Sequence, residues 1–188
     1  MSMKKRLLIL CLLVIQLPVY ASSFDTISNF ITYSENFASS GQPTEADLID
    51  LAKAGYQKII YIALTTDNTA LAGEDEIVLK NGMQYLHVAV DFYKPKLEAF
   101  QTVTNALNAT PNVKTLLHCQ INLRASTFSF LYRVIFLHIP MEDAKADLDS
   151  IWIPNPIWFK FIKDTLAHYG KTHACDKCDW GELDFEAD

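Results

Sequence analysis

The stretch "VKTLLHCQINLRASTFSFLYRVIFL", residues 113–137, changes character twice. Val113 to His118 is an apolar run that reads as a central strand. A His-Cys pair follows, His118-Cys119, and then the short interval Gln120-Ile121-Asn122-Leu123 before Arg124. From Arg124 to Leu137 the chain is strongly apolar and reads as a core helix. Strand, tight loop and helix make one βα unit, and the question is whether the rest of the chain repeats it.

It does. "KIIYIAL", Lys58 to Leu64, is rich in β-branched residues without polar alternation, as a strand buried on both faces would be, and "YLHVAV", Tyr85 to Val90, reads the same way. Phe37 to Gln42 reads as a short strand. Pro43-Thr44 followed by Glu45, Leu48, Leu51 and Ala52 gives a capped helix that stops at Gly55. Glu74 to Lys80 gives a helix stopped at Asn81-Gly82, and Pro95 to Leu107 gives another. Asp143 to Tyr169 reads as helical with a break around "IPNP". This alternation predicts a three-layer α/β fold: a mostly parallel central sheet of about four to five strands, with helices on both faces. In such sheets the ligand site lies at the carboxyl ends of the strands, where His118-Cys119 falls.

The termini bound the location. Lys4-Lys5-Arg6, the apolar block Leu7 to Leu17 and Pro18-Val19-Tyr20-Ala21 have the layout of a secretory signal peptide. The block is short for a membrane span, which needs about 20 residues, and Cys11 lacks the small residues that a lipoprotein site places before it. The expected organisation is a signal peptide over 1–21, one α/β domain over 22–170, and an acidic, loosely held tail over 171–188. The expected location is exported, periplasmic or secreted. Removing 1–21 takes away three positive charges and no acid, which moves the formal net charge from −6 to −9. Such a surface makes a poor partner for nucleic acid or anionic lipid.

Export leaves three cysteines, Cys119, Cys175 and Cys178. An odd number in an oxidising compartment leaves one thiol over if the other two pair. Cys175-Asp176-Lys177-Cys178 is close enough in sequence for a small-loop disulfide. Together with His173 it also offers three soft ligands to zinc, but a structural zinc site usually wants a fourth. A redox role is the third reading.

Cys119, at a strand end and just before a helix, faces unpaired backbone N–H groups and the positive end of the helix dipole. Both lower a thiol pKa and receive an anion. Arg124 adds a planar fork that fits a tetrahedral oxyanion. His118 orders the loop, and Ser126 offers a hydroxyl to the sulfur as it leaves. These parts describe nucleophilic attack by sulfur on an anionic centre. The plainer reading is a packed cysteine beside a helix that starts with arginine, since Cys is among the most buried residue types.

"LLHCQINLRAS" resembles the active-site loop of the cysteine-dependent protein tyrosine phosphatase superfamily, His-Cys, five residues, Arg, then Ser or Thr. "SGQPTEADLIDLAKAGYQKIIYIAL" is similar to the start of small bacterial dual-specificity-phosphatase-like domains, including the one fused to β-lactamase-like hydrolases. "GMQYLHVAVDFYKP" resembles the strand that carries their general-acid loop. The resemblance covers roughly residues 37 to 138, and more loosely "IWIPNPIWFKFI". It implies Cys119 as nucleophile, Arg124 as the group that binds the phosphoryl oxygens, and an acid on a separate loop, for which Asp91 is best placed. His118, Gln120, Ile121, Asn122, Leu123 and Ser126 complete the implied substrate-binding loop. Asp67, Glu74, Asp75 and Glu76 are rival acids. Such a mechanism requires no metal or cofactor, and its partner is a phosphorylated small molecule or phosphoprotein.

Two features depart from that pattern. Four residues rather than five separate Cys119 from Arg124, and Ser126 stands two after the arginine rather than next to it. The loop also lacks glycine, which usually lets backbone N–H groups turn inward to form an anion nest. Rhodanese-type sulfurtransferases resemble a Cys-four-residue-Arg loop that cradles a persulfide sulfur, so sulfur transfer is the rival activity. A binding module with a decayed loop is the rival from another class. Trp152, Trp158, Phe159 and Tyr93 either wall a pocket or pack in the core, and the apolar spacing favours packing. His87 and His138 read as core or strand-end histidines.

Overall fold

The computed structural model describes residues 24–181; the segment read as a signal peptide lies outside them. Among the described residues five strands form one sheet. These are β1 (Ile31–Ser34), β2 (Phe37–Ser40), β3 (Lys58–Tyr61), β4 (Gln84–His87) and β5 (Thr115–His118), in spatial order β1-β2-β5-β3-β4. β2, β5, β3 and β4 run parallel, and β1 is antiparallel to β2 at the edge. Six helices complete the fold: α1 (Glu45–Lys53), α2 (Glu74–Lys80), α3 (Leu97–Asn108), α4 (Leu123–Ile135), α5 (Met141–Asp149) and α6 (Pro156–His168). The three-layer, mostly parallel α/β architecture is therefore present. β1 is the element that the sequence reading lacked, joined to β2 by the short turn Glu35-Asn36.

The central strands read as apolar because each covers two cores. Leu116 of β5, Ile59 of β3 and Ala38 of β2 enter a cluster with Leu48 and Leu51 of α1 and Val78 of α2. Their sequence neighbours Leu117, Ile60 and Phe37 enter the larger cluster on the other face, with Phe100 and Val103 of α3, Phe128 and Leu131 of α4, and Ile162 of α6. Side chains alternate across a strand, so a run without polar alternation is what a doubly covered sheet demands. β5, in the middle, delivers His118 and Cys119 to the carboxyl edge of the sheet.

Helix boundaries follow local chemistry. Thr44 caps α1 in a capping box with Asp47, each side chain accepting from the other's backbone N–H. The break at "IPNP" is the start of α6, where the Asn155 carboxamide accepts from the Trp158 N–H at 3.1 Å and Pro156 takes the first helical position. Trp158 and Phe159 lie in the core, and Trp152 packs beside Trp158 with ring centroids 6.2 Å apart. Tyr93 is 72% exposed. His138 is exposed with φ +54°, and His87 stacks on Tyr61.

Residues 171–181, read as part of a loose tail, pack on the domain. Trp180 is buried against Phe130 and Phe159 and lies under the Lys145 ammonium. Cys175 and Cys178 form a disulfide, and the His173 ring meets Phe159 edge-on. Among the described residues no group of three or more His, Cys, Asp or Glu is arranged to hold a metal ion, and no helix is long and apolar enough to cross a membrane.

Burial pushes the phenols of Tyr33 and Tyr56 up to about 12. In the unfolded chain they ionise near their ordinary value of about 10, while the fold holds them neutral for longer. Their contribution to stability is thus whole below pH 10 and is lost as pH rises towards 12. The guanidinium unfolding midpoint should stay level up to pH 10 and fall between pH 10 and 12. A level midpoint across that window would contradict the buried phenols.

Candidate active site

The loop between β5 and α4 owes its shape to one residue in the left-handed region. Asn122 has φ +72° and ψ 2°, where asparagine is tolerated better than most residues. It turns the chain, and it places the α4 N-terminus immediately after the loop. The first intrahelical bond is Ser126 N–H to the Asn122 carbonyl at 2.8 Å. The N–H groups of residues 123–125 therefore start the helix as its orphan donors. The Asn122 carboxamide donates to the Asn29 carbonyl at 2.6 Å, and the Asn29 carboxamide donates to the Ile121 carbonyl at 2.8 Å. This reciprocal pair pins the loop to the segment that precedes β1.

Gly41 holds the loop from its other side. Its N–H donates to the Ser28 carbonyl at 2.7 Å, and the Gln42 N–H donates to the Gln120 carbonyl at 3.0 Å. A β-carbon at position 41 would lie 2.8 Å from the Gln120 carbonyl oxygen, 2.9 Å from Ser28 Cβ and 3.0 Å from Ile121 Cα. The glycine of "GQP" is there because the Cys-Arg loop lies flat upon it.

Cys119 is a free thiol, 1% exposed, with its N–H bonded to the Ser40 carbonyl at 3.2 Å. It lines a cavity of about 240 Å³ together with Gln120, Ile121, Leu123, Arg124 and Phe92. Arg124, the second residue of α4, is 2% exposed. Its Nη1 donates to the Val90 carbonyl at 2.8 Å, and its Nη2 donates to Asp67 Oδ2 at 2.8 Å and Gln120 Oε1 at 2.7 Å. The guanidinium carbon stands 6.0 Å from the Phe92 ring centre. Trp158 fixes that wall from the core, its indole N–H donating to the Phe92 carbonyl at 2.9 Å.

The other expected residues fall outside the cavity lining. Asn122 is turned to Asn29. Ser126 is buried with its hydroxyl on the Leu123 carbonyl at 3.2 Å, so it serves its own helix turn rather than the sulfur. Asp91 is exposed and accepts from the Tyr93 N–H at 2.8 Å, a turn cap between Val90, which holds Arg124, and Phe92, which walls the cavity. His118 lies fully buried beside Cys119, stacked on Tyr61 at 4.9 Å. Its Nε2 stands 3.1 Å from Glu74 Oε1 without the alignment of a hydrogen bond, and its Nδ1 has no hydrogen-bond partner. Glu74, 3% exposed, also accepts from the Gln42 carboxamide at 2.9 Å and the Tyr85 hydroxyl at 3.2 Å. Burial, with Glu74 beside it, raises the Tyr85 phenol far above its ordinary value. Glu74 is thus an internal support of His118.

Sequence reasoning weighed Asp67 and Glu74 only as acids and did not weigh Asn29 or Phe92. For Asn29 and Glu74 no local signal exists. Phe92 lies inside the quoted "DFYKP" and is legible only as a neighbour of Asp91.

No protein-family model and no curated protein matches the chain. Solved structures do. A DUF442 candidate phosphatase from Shewanella putrefaciens CN-32 is 27% identical over 77% of this chain and 92% of its own, with a TM-score of 0.70. A candidate phosphatase from Neisseria meningitidis, nma1982, is 16% identical over 73% and 98%, with a TM-score of 0.58. The core catalytic domain of the PP-IP phosphatase SIW14 from S. cerevisiae is 14% identical over 86% and 91%, with a TM-score of 0.59. At the last two identities the likeness is one of fold. The chain has the fold of the cysteine-dependent, protein-tyrosine-phosphatase-like phosphatases.

Gly41→Ala should force the loop off its seat. Overpacking of a tight contact costs about 1–3 kcal/mol, so the melting temperature should drop and the reactivity of Cys119 toward iodoacetamide should change. An unchanged melting temperature and alkylation rate would show that the loop does not depend on this contact.

Proposed function

We propose that the protein is an exported phosphatase that hydrolyses a phosphomonoester through a phosphocysteine intermediate. The observation that carries this reading is that one cavity is lined by both a free cysteine and a buried arginine, at a strand's carboxyl end and a helix N-terminus. The likeness to solved phosphatases supports the reaction class. Export rests on the basic and apolar make-up of residues 1–21.

The Cys119 sulfur attacks phosphorus and forms an S–P bond as the P–O bond to the alcohol breaks. The helix N–H groups and Arg124 hold the non-bridging oxygens as charge shifts among them. The departing alkoxide takes a proton, and Asp91 is assigned this role because the residues on either side of it touch the site. Water then attacks the phosphocysteine, which releases inorganic phosphate and returns the thiolate. The cavity walls Phe92, Ile121 and Leu123 are apolar, so they favour an ester of an aromatic or apolar alcohol, free or on a protein side chain, over a multiply phosphorylated one.

The wild-type protein should release the aryl alcohol from a generic aryl phosphate, and Cys119→Ser should release none above background. Cys119→Ser is nearly isosteric at a buried position, so a folded variant is expected and its melting temperature is the control. Silence from the wild type, with cyanide-dependent thiocyanate formed from thiosulfate, would replace the phosphatase reading with sulfur transfer. Binding of phosphate without either turnover would leave a binding module.

A further inference from the structure

Arg124 is already occupied. A guanidinium carries five N–H groups, and its two bidentate edges share one nitrogen: one edge pairs Nη2 with Nε, the other pairs Nη2 with Nη1. Here both Nη2 hydrogens are used, one by Asp67 Oδ2 at 2.8 Å and the other by Gln120 Oε1 at 2.7 Å. Nη1 gives a hydrogen to the Val90 carbonyl at 2.8 Å. Neither edge is left whole, so an oxyanion that arrives above Cys119 cannot be gripped two-pronged by this arginine as it stands.

The competing carboxylate is built in place. Asp67 lies in the loop between β3 and α2, where its N–H bonds the Leu64 carbonyl at 3.0 Å and its Oδ2 accepts from the Leu64 N–H at 3.3 Å. The same loop touches the cysteine loop again, the Gln120 carboxamide donating to Asn68 Oδ1 at 3.4 Å. Gln120 is therefore held between Asn68 and Arg124. Outward movement is open to the loop, because Thr65, Thr66, Asn68 and Thr69 are exposed.

From this geometry we propose that Asp67 is the resident counter-anion of Arg124. It stands in for a substrate oxyanion and must be displaced, with Gln120, before the arginine can grip one with two prongs. Asp67 is then a specificity-determining residue that acts through Arg124. It keeps the arginine aligned and neutralised in the empty site, and it admits to a two-pronged grip only anions that compete successfully with an internal carboxylate. An anion that binds through one oxygen, to Nε–H or to the spare Nη1–H, meets no such competition. A tetrahedral dianion gripped by two oxygens meets all of it, and it also faces the Asp67 charge for as long as that carboxylate stays close.

The proposal rests on the reading of Arg124 as the oxyanion-binding group but not on turnover, and the test keeps the two apart. Inorganic phosphate is titrated against alkylation of Cys119 by iodoacetamide, followed on the Cys119 peptide, so that protection reports phosphate affinity without catalysis. Asp67→Asn exchanges a charge-assisted bond for a neutral one of the same shape. It should protect with about five- to tenfold less phosphate than wild type requires. Asp67→Ala, which cannot accept from Arg124 at all, should protect at least as well as Asp67→Asn. With an aryl phosphate, KM should fall by a similar factor in Asp67→Asn, with a smaller change in kcat. If Asp67 only positions the arginine, both variants will need as much phosphate as wild type or more, and that result overturns the proposal. Tighter phosphate protection in the variants with no turnover by any form sustains the counter-anion and removes the phosphatase reading.

Discussion

The backbone of residues 120 and 121 rests on Gly41 with no room for a β-carbon between them, and the geometry of the candidate site follows from that contact. Gly41 fixes the height of the loop above the end of β2. The Asn122 carboxamide on the Asn29 carbonyl and the Asn29 carboxamide on the Ile121 carbonyl fix its tilt. With both in place, the left-handed turn at Asn122 is set by tertiary contact rather than by the absence of a side chain. A loop with four residues between cysteine and arginine, and no glycine of its own, can then deliver its chain into α4 with Arg124 on the second helical position. The room that the loop needs is supplied by a glycine in a different strand-end turn, whose missing β-carbon lets the loop backbone close upon it.

Behind the loop the support is polar and buried. Tyr61 is sandwiched between the rings of His118 and His87, while Glu74 gathers His118, Gln42 and Tyr85 around one carboxylate. A buried carboxylate is costly unless such partners surround it. The "GQP" turn therefore meets the site twice, through Gly41 on the loop and through Gln42 on Glu74. In front, the wall is set by Phe92, whose carbonyl is tied to the core indole of Trp158. Strand ends, a helix start and a core tryptophan thus converge on one cavity from separate parts of the chain.

The fold was legible because the doubly covered strands leave a strong trace. "KIIYIAL" lacks alternation over β3, which is buried throughout. "YLHVAV" lacks it too, but β4 is the sheet edge and its residues are half-buried or exposed, so it is not the doubly buried strand that its sequence suggests. Thr44 and Asn155-Pro156 mark helix starts by local chemistry. β1 escaped because "ITYS" is a four-residue edge strand with alternate residues half-buried, a pattern too short to separate from a loop. Trp180 escaped because its acidic neighbours hide a residue that buries fully against Phe130 and Phe159. At the site, Cys119 and Arg124 were legible through their spacing and their place at a strand end. The partners of Arg124 were not, since Asp67 lies 57 residues away and nothing local distinguishes a carboxylate that pairs from one that is solvated. Ser126 was assigned to the sulfur by sequence proximity, yet the helix turn claims its hydroxyl.

The central claim is that the sulfur of Cys119 carries the phosphoryl group during turnover. Rapid acid quench of the wild-type protein with an aryl phosphate, followed by mass analysis of the peptide that contains residues 114–130, tests it directly. The account predicts a phosphoryl group on Cys119 that appears with the first turnover and is absent from Cys119→Ser. A turning-over enzyme with its phosphoryl group on another residue, or with Cys119 carrying a second sulfur atom instead, would contradict it.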